Sequence, residues 1–213
     1  MTRKPRSFFG GYARLMQSDR RTRLAPDERR AQLVALGVAA LVDRPLEALT
    51  IEYLSSAAGV SRGLLFYYFG SKQGLHRAVV LTARDSMLRA TEPSNELEPL
   101  DRLRDTLTNI VRFVRDHRET FFSLVRGAAS GDREVREVVD QARGVHADRV
   151  IAVFYELGVP DSELLRIALR SWVAFAEEAL VEIALNTEMP SADIVAFLER
   201  SVRAVAASVD PSH

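Results

Sequence analysis

The chain has 213 residues, of which 47% are hydrophobic, so it can form one large domain or two small ones with a substantial core. It contains no cysteine, which excludes disulfides, thiolate catalysis and cysteine-based zinc sites. No apolar run approaches the ~20 residues of a membrane span, and no apolar signal segment follows Met1. We therefore expect a cytoplasmic protein without a membrane partner.

The formal charge is zero overall but unevenly distributed along the chain. Residues 1–77 carry 13 Lys and Arg against 6 Asp and Glu, whereas residues 78–213 carry 16 against 23. A basic N-terminal third can meet phosphates while the acidic remainder is repelled from them. The asymmetry is compatible with a nucleic-acid partner, although proteins without one also show it by chance.

The first 25 residues are predicted to form a basic, flexible arm, because they lack a sustained helical stripe and contain Gly10-Gly11. They carry one acid, Asp19. Their basic residues are Arg3, Lys4, Arg6, Arg14, Arg20, Arg21 and Arg23. Such an arm can lie in the minor groove of DNA. An inert tail is the alternative, and Met16 is an alternative start.

Residues 26–77 are predicted to form a small helical domain. Pro26 and the two acids after it suit the first turn of a helix, which ends before Asp43-Arg44-Pro45. Thr50 is the expected cap of a second helix that runs to about residue 58. Gly59 breaks it, and Ser61 caps a third helix at about 62–69. A longer helix follows at about 72–90.

Residues 78–210 are predicted to form a second helical domain. A loop at 92–99, which contains two prolines, leads into it. Every later segment has helical periodicity. The predicted helices are at about 100–117, 119–129, 132–157, 162–188 and 191–208. No segment alternates strictly enough for a strand, so we expect an all-α fold.

The segment 50–72 has the three features of a helix-turn-helix. Small residues stand where its two helices meet, at Ala57, Ala58 and Gly59. Apolar residues that can hold the second helix to its support are Leu54, Val60, Leu65 and Phe69. Donors for the outer face are Arg62, Gly63, Tyr67, Tyr68 and Lys72. We therefore expect residues 26–77 to bind double-stranded DNA through the helix at 62–69.

The sequence G-V-S-R-G-L-L-F-Y-Y-F-G-S-K, at residues 59–72, resembles the signature of TetR-family transcriptional regulators. The likeness extends from about Arg29 to Val80. The resemblance implies that Thr50 and Lys72 contact phosphates. It also implies that Ser61 and Arg62 begin the recognition helix, and that Gly63 lets its backbone approach the DNA closely.

Four further positions of the motif bear on how DNA would be read. By the same resemblance, Tyr67 and Tyr68 reach the DNA backbone. The family often has tyrosine where this chain has Phe66, so one phosphate-contacting hydroxyl is missing. Leu64 stands where a smaller or polar residue is frequent, and it would contact a thymine methyl or face the protein. The operator sequence therefore cannot be read from this helix.

The helix predicted at 162–188 is apolar over more than one stripe, so it must be covered on two sides. The resemblance implies that one side lines an effector cavity and the other joins the last helix in a homodimer bundle. Candidate cavity residues are Phe113, His117, Phe121, Phe122, Arg126, Phe154, Trp172 and Phe175. The alternative is that these side chains fill an ordinary core.

We expect a homodimeric, ligand-responsive DNA-binding regulator, a repressor that an unknown small molecule releases from a near-palindromic operator. It would not be an enzyme and would need no cofactor or metal. Activation instead of repression is an alternative. Another is a helical binding module or a hydrolase using Ser61, because residues 59–63 match G-x-S-x-G. The four histidines show no metal-binding spacing.

Overall fold

The computed structural model describes residues 25–129, 133–184 and 186–209, without the side chains of residues 123, 124 and 126–129. The predicted basic arm and the side chain of Arg126 lie outside this part. The described chain is helical and contains no strand, as the all-α prediction required. Its nine α-helices are α1 Pro26–Ala40, α2 Ile51–Ala58, α3 Arg62–Phe69, α4 Lys72–Ala90, α5 Pro99–Asp116, α6 Arg118–Ala129, α7 Arg133–Glu156, α8 Glu163–Ala179 and α9 Ser191–Ser208.

Hydroxyl side chains begin the helices around the predicted turn. The Thr50 hydroxyl oxygen accepts from the Tyr53 amide at 3.0 Å, and that of Ser61 accepts from the Leu64 amide at 3.2 Å. Both contacts satisfy amides that have no partner within the helix, so the predicted caps are confirmed. Gly59 ends α2 at a φ of +63°, a left-handed conformation that glycine adopts without strain.

Two hydrophobic cores divide the molecule. The first core lies among α1–α4 and contains Leu33, Leu41, Leu54, Leu65 and Leu75, all fully buried. The second lies among α5–α9 and contains Leu103, Val111, Leu165, Leu169 and Leu198. The helices of each group therefore bury apolar side chains against one another.

The helix α7 contributes to both cores. Near its N-terminus, Val135 and Val138 are buried among the side chains of α1–α4. Toward its C-terminus, Val150 and Phe154 are buried in the second core. With 24 residues it is about 36 Å long, so one rigid element runs from the N-terminal core through the C-terminal one. Contacts thus cross the predicted boundary at residue 77.

The helix predicted at 162–188 differs from the observed one. The α-helical hydrogen bonds of α8 end at Ala179, and a π-helical segment, Leu180–Ala184, continues it. The wider turn keeps Leu180, Val181 and Ala184 buried together. Apolar periodicity alone did not reveal this change, because the π turn inserts one residue without interrupting the helix.

Candidate DNA-binding surface and effector cavity

The inner side of α3 fixes its position against the N-terminal core. Leu54 of α2 and Leu65 of α3 are fully buried, and Phe69 is nearly so, while Val60 is half-buried in the turn. The Ser55 hydroxyl donates to the Val60 carbonyl at 2.6 Å and ties the turn to α2. The apolar residues predicted to hold the helix therefore do so.

The outer side of α3 is open to solvent. Tyr67 is 77% exposed, and Phe66 and Arg62 are exposed as well. Tyr68 is half-buried, packs against the N-terminal core, and stacks edge-on with Tyr67 at 5.2 Å between ring centroids. Tyr67 thus has no packing role that would explain its large exposed ring, whereas Tyr68 supports the core and the surface together.

Arg62 forms an ion pair with Glu52 of α2. Both side chains are more than half exposed, so the pair stabilises the fold by less than about 1 kcal/mol. A phosphate or a base edge can therefore replace Glu52 at little cost. Glu52 is not recognisable from the sequence as the partner of Arg62, because ten residues separate the two and Glu52 belongs to another helix.

Gly63 and Leu64 occupy the first turn of α3. A side chain on Gly63 would meet nothing closer than the Ser61 hydroxyl at 3.9 Å, so the backbone there is accessible. Leu64 is half-buried and packs in part against protein. The geometry therefore lets another molecule approach the helix closely at Gly63.

Lys72 lies at the start of α4 and is half-buried. Its ammonium group donates to the Glu47 carbonyl at 2.7 Å, in the 3₁₀ turn Leu46–Ala48 before α2. Close by, the buried His76 places its Nε2 at 2.8 Å from the Leu49 carbonyl. These contacts hold α4 to the segment that precedes the helix-turn-helix.

The G-x-S-x-G match does not have the setting of a nucleophile elbow. That motif requires a strand before the serine and a helix after it. Here α2 precedes the match, and the Ser61 hydroxyl oxygen caps α3 at an exposed position. The structural context therefore gives no support to hydrolase chemistry at Ser61.

A cavity of about 320 Å³ lies between α4, α5, α6, α7 and α8. Most of its wall is apolar. Three of the predicted cavity residues line it: Phe113, Phe121 and Trp172. The Trp172 indole also donates to the Ser201 hydroxyl of α9 at 2.9 Å. The volume is at the lower end of the range for small-molecule sites.

Four other predicted cavity residues lie elsewhere, which corrects the predicted lining. Phe154 is buried in the second core, and Phe122 packs against that core from its edge. His117 ends α5 with its ring 4.5 Å from that of Phe113. Phe175 is 45% exposed on the outer side of α8. Their helices bring them near the cavity but turn these positions away from it.

Most polar side chains of the cavity wall were not predicted, although the sequence allows Glu177 to be either a polar cavity group or a surface acid. Arg143 of α7 forms two hydrogen bonds to Glu177 of α8, at 2.8 and 2.6 Å. Burial and the neighbouring Arg149 lower the pKa of His146 to about 4, so its imidazole is neutral at pH 7. In sequence, each of these residues has the appearance of an ordinary surface charge.

The part of the chain that the structure describes has neither a metal-binding cluster nor a membrane-spanning helix. No group of three or more histidine, aspartate or glutamate side chains is placed to hold a metal ion there. No helix of that part is long and apolar enough to cross a membrane.

Two protein-family models match the chain. Residues 33–79 match the model for bacterial regulatory proteins of the tetR family, which covers α2, α3 and the turn between them. Residues 99–205 match a tetracyclin repressor-like C-terminal domain. The matched regions coincide with the helix-turn-helix and with the helices that surround the cavity.

Individual relatives match over about half of the chain or less. The transcriptional regulator TtgR of Pseudomonas putida is 30% identical over 94 residues, 43% of this chain and 45% of TtgR. The transcriptional activator FasR of Mycolicibacterium smegmatis is 31% identical over 118 residues, 55% of this chain and 50% of FasR. The matches thus span about half the length of these relatives.

Solved structures match over nearly the whole chain. A tetR-family transcriptional regulator from Streptomyces coelicolor superposes with a TM-score of 0.74 at 25% identity, covering 89% of this chain and 86% of its own. A TetR-like regulator from Rhodococcus sp. RHA1 gives 0.65 at 22% identity, covering 86% and 96%. The chain therefore belongs to the TetR family of DNA-binding transcriptional regulators.

Proposed function

We propose that the protein is a homodimeric repressor that leaves a near-palindromic operator when a small molecule enters the cavity. The observation that carries this proposal is that the same two helices, α4 and α7, line the apolar cavity and support the exposed helix α3. Val80 and Ala83 of α4 and Val138 and Ala142 of α7 line the cavity. Both helices also contribute side chains to the core that supports α3.

In this proposal the DNA meets α3 and the helix ends beside it. The residues that contact DNA are Thr50, Ser61, Arg62, Gly63, Leu64, Tyr67, Tyr68 and Lys72. When DNA binds, Arg62 leaves Glu52 and contacts a base edge or a phosphate. Lys72 likewise leaves the Glu47 carbonyl and contacts a phosphate. The excess of basic residues in the N-terminal third and of acidic residues in the remainder of the sequence supports this orientation.

The homodimer forms through α8 and α9. The outer side of α8 carries Leu164, Ile167 and Phe175, which are 59%, 52% and 45% exposed in the single chain. Phe175 lies 6.0 Å, between ring centroids, from Phe197 of α9, so the apolar surface continues onto the last helix. A second copy on this surface buries these side chains and presents two α3 helices about 34 Å apart, or a multiple of that distance.

The switch works by differential affinity. The effector binds better to a conformation in which the two α3 helices no longer fit successive major grooves, so its binding favours release. The relative FasR is named an activator. A transcription assay with the bound promoter therefore reads the direction of regulation directly. A protein that binds DNA in this way is expected to act in the cytoplasm.

The test uses the full chain and the DNA upstream of its own gene at low salt. Arg62→Ala should weaken binding about tenfold or more, since a well-placed arginine contact contributes 1–3 kcal/mol. Arg112→Ala is the matched control, because Arg112 is exposed on α5 and bonds only Asn109 among the described residues. Sedimentation should give a dimer. A stable monomer that does not bind promoter DNA would overturn the proposal.

A further inference from the structure

Among the side chains that the structure describes, four arginines line the cavity, and three of them already have a carboxylate partner. Arg143 bonds Glu177 and also Asp140. Arg102 pairs with Glu156, and Arg84 pairs with Asp85. Carboxylates of the protein compensate the charges of these three arginines, so none of the three requires a charged ligand.

Arg149 of α7 differs from the other three. Its guanidinium donates to the Thr91 carbonyl at 3.0 Å, the Leu88 carbonyl at 3.2 Å and the Thr91 hydroxyl at 3.3 Å. All three acceptors are neutral, and no carboxylate among the described residues lies within ion-pair distance of it. Burial lowers the pKa of Arg149, and Glu92 offsets this only in part. The cavity thus contains one poorly compensated cation.

Arg102 also lines the cavity, but it does not add a second contact for an anion. Its partner Glu156 lies seven residues beyond Arg149 on α7, about 10 Å along the helix. The Nε of Arg102 is buried without an acceptor among the described residues and presents no open surface to the cavity. Arg149 is therefore the group that an anion in the cavity would meet.

We propose that the effector is a compact, largely apolar molecule with a single carboxylate, whose oxygens accept hydrogen bonds from the guanidinium of Arg149. This inference rests on the proposed function, in which the cavity receives the effector. The apolar wall takes the body of the molecule, and the neutral His146 adds no second cation. An alcohol would leave the Arg149 charge uncompensated, and an ammonium group would be repelled by it.

The same contact connects the ligand to α4. Leu88 and Thr91 lie at the C-terminal end of that helix, where carbonyl groups lack partners within the helix. A carboxylate that draws Arg149 away removes these hydrogen bonds from the last turn of α4. Binding of the anion therefore alters the helix whose first residue, Lys72, touches the helix-turn-helix support.

The experiment reads cavity occupancy from tryptophan fluorescence, because Trp172 is the only tryptophan of the chain and lines the cavity. The probes are decanoate, 1-decanol and decylammonium, and also 4-biphenylcarboxylate and 4-biphenylmethanol, each group matched in its apolar body. At pH 7 both carboxylates are ionised. We expect each carboxylate to bind at least about tenfold more tightly than its matched alcohol, and the ammonium to bind most weakly.

Variants locate the contact. Arg149→Gln should bring the carboxylate and the alcohol to equal affinity, and Arg149→Lys should retain part of the preference because it retains the charge. Arg166→Gln is the control, because Arg166 lies near the start of α8, pairs with Asp161 and is not among the cavity-lining residues, and it should leave the preference unchanged. The comparison of head groups on the unaltered protein needs no variant, so it stands even if Arg149→Gln fails to fold.

Equal or tighter binding of the alcohols, or no response to any probe, would overturn the proposed ligand class. A preference for carboxylates that survives Arg149→Gln would overturn the role of Arg149. Retention of the promoter fragment is measured separately. A protein that retains this DNA but does not discriminate between head groups loses only the ligand class. A protein that binds decanoate but no DNA instead refutes the proposed function.

Discussion

The α3 surface and the cavity differ in how much of the chain each requires. The α3 surface comes from one contiguous segment, residues 50–72, whose caps and turn are made by near neighbours in sequence. The cavity is assembled by five helices, α4 to α8, and its polar contacts join residues 34 to 61 positions apart. A surface built locally can keep its form in many relatives, while a cavity built from distant helices changes with any of them.

The first prediction tests whether the local surface depends on one tight approach. A Cβ on Gly74 would lie 2.0 Å from the Phe69 carbonyl oxygen, a backbone atom that cannot rotate away. Gly74→Ala should therefore displace α3 from α4 and destabilise the fold by about 3 kcal/mol or more. Urea denaturation followed by circular dichroism measures the change.

Gly144→Ala is the matched control for Gly74→Ala. Gly144 lies inside α7 with nothing within 4 Å of its added Cβ, so alanine there should stabilise by about 0.5–1 kcal/mol. A Gly74→Ala protein as stable as the unaltered one would show that the junction of α3 and α4 is not rigid.

The second prediction concerns the cavity wall. The folded pKa of His146, about 4, lies below the unfolded value near 6.5, so the unfolded chain takes up a proton first. The free energy of unfolding should therefore fall as the pH drops from about 6.5 to about 4, by up to about 3 kcal/mol. Above pH 6.5 this contribution is constant.

His146→Leu should remove most of that pH dependence, as measured by urea denaturation at several pH values. Residues 50–72, which form the α3 surface, contain no histidine. The DNA affinity of His146→Leu above pH 6.5 should therefore differ little from that of the unaltered protein. An unchanged slope in His146→Leu would assign the acid sensitivity to other groups.

The third prediction separates the two roles of Lys72. Lys72→Gln keeps a donor for the Glu47 carbonyl but removes the charge. DNA affinity should fall about tenfold, and the slope of log affinity against log salt should decrease by about one, as for the loss of one phosphate contact. Fluorescence anisotropy at several salt concentrations measures both. An unchanged slope would mean that Lys72 only supports the fold.

The smallest effect is expected at Glu52. Glu52→Gln frees Arg62 from its ion pair and removes a negative charge beside the proposed phosphate path. DNA affinity should rise a few-fold, while stability changes by less than about 1 kcal/mol because the pair is exposed. Weaker DNA binding would instead show that Glu52 must orient Arg62.

Sequence reasoning was most successful where structure is decided locally. Thr50, Ser61 and Gly59 are recognisable as caps and a turn because their partners lie within five residues. Helical periodicity also predicts which side chains hold α3 in place, since α2 and α3 each have only one apolar face to bury. The helices of the second domain were predicted for the same reason.

The cavity could be predicted only in part. Periodicity shows that α8 has two apolar sides, but it does not show which side meets which helix. Trp172 therefore lines the cavity, while Phe175, three residues on, faces outward. The partners of Arg149 lie 58 and 61 residues away, so its lack of a carboxylate emerges only from the folded chain.

The placement of α7 limits how such regulators can be recombined. A chimaera that takes only residues up to 77 from this protein would lack Val135 and Val138. The core among α1–α4 would then contain a cavity where these side chains pack. A functional chimaera must therefore include the first turns of α7 together with the N-terminal domain, although more than fifty residues separate residue 77 from α7 in the chain. For the same reason we expect heat to melt both halves in a single transition.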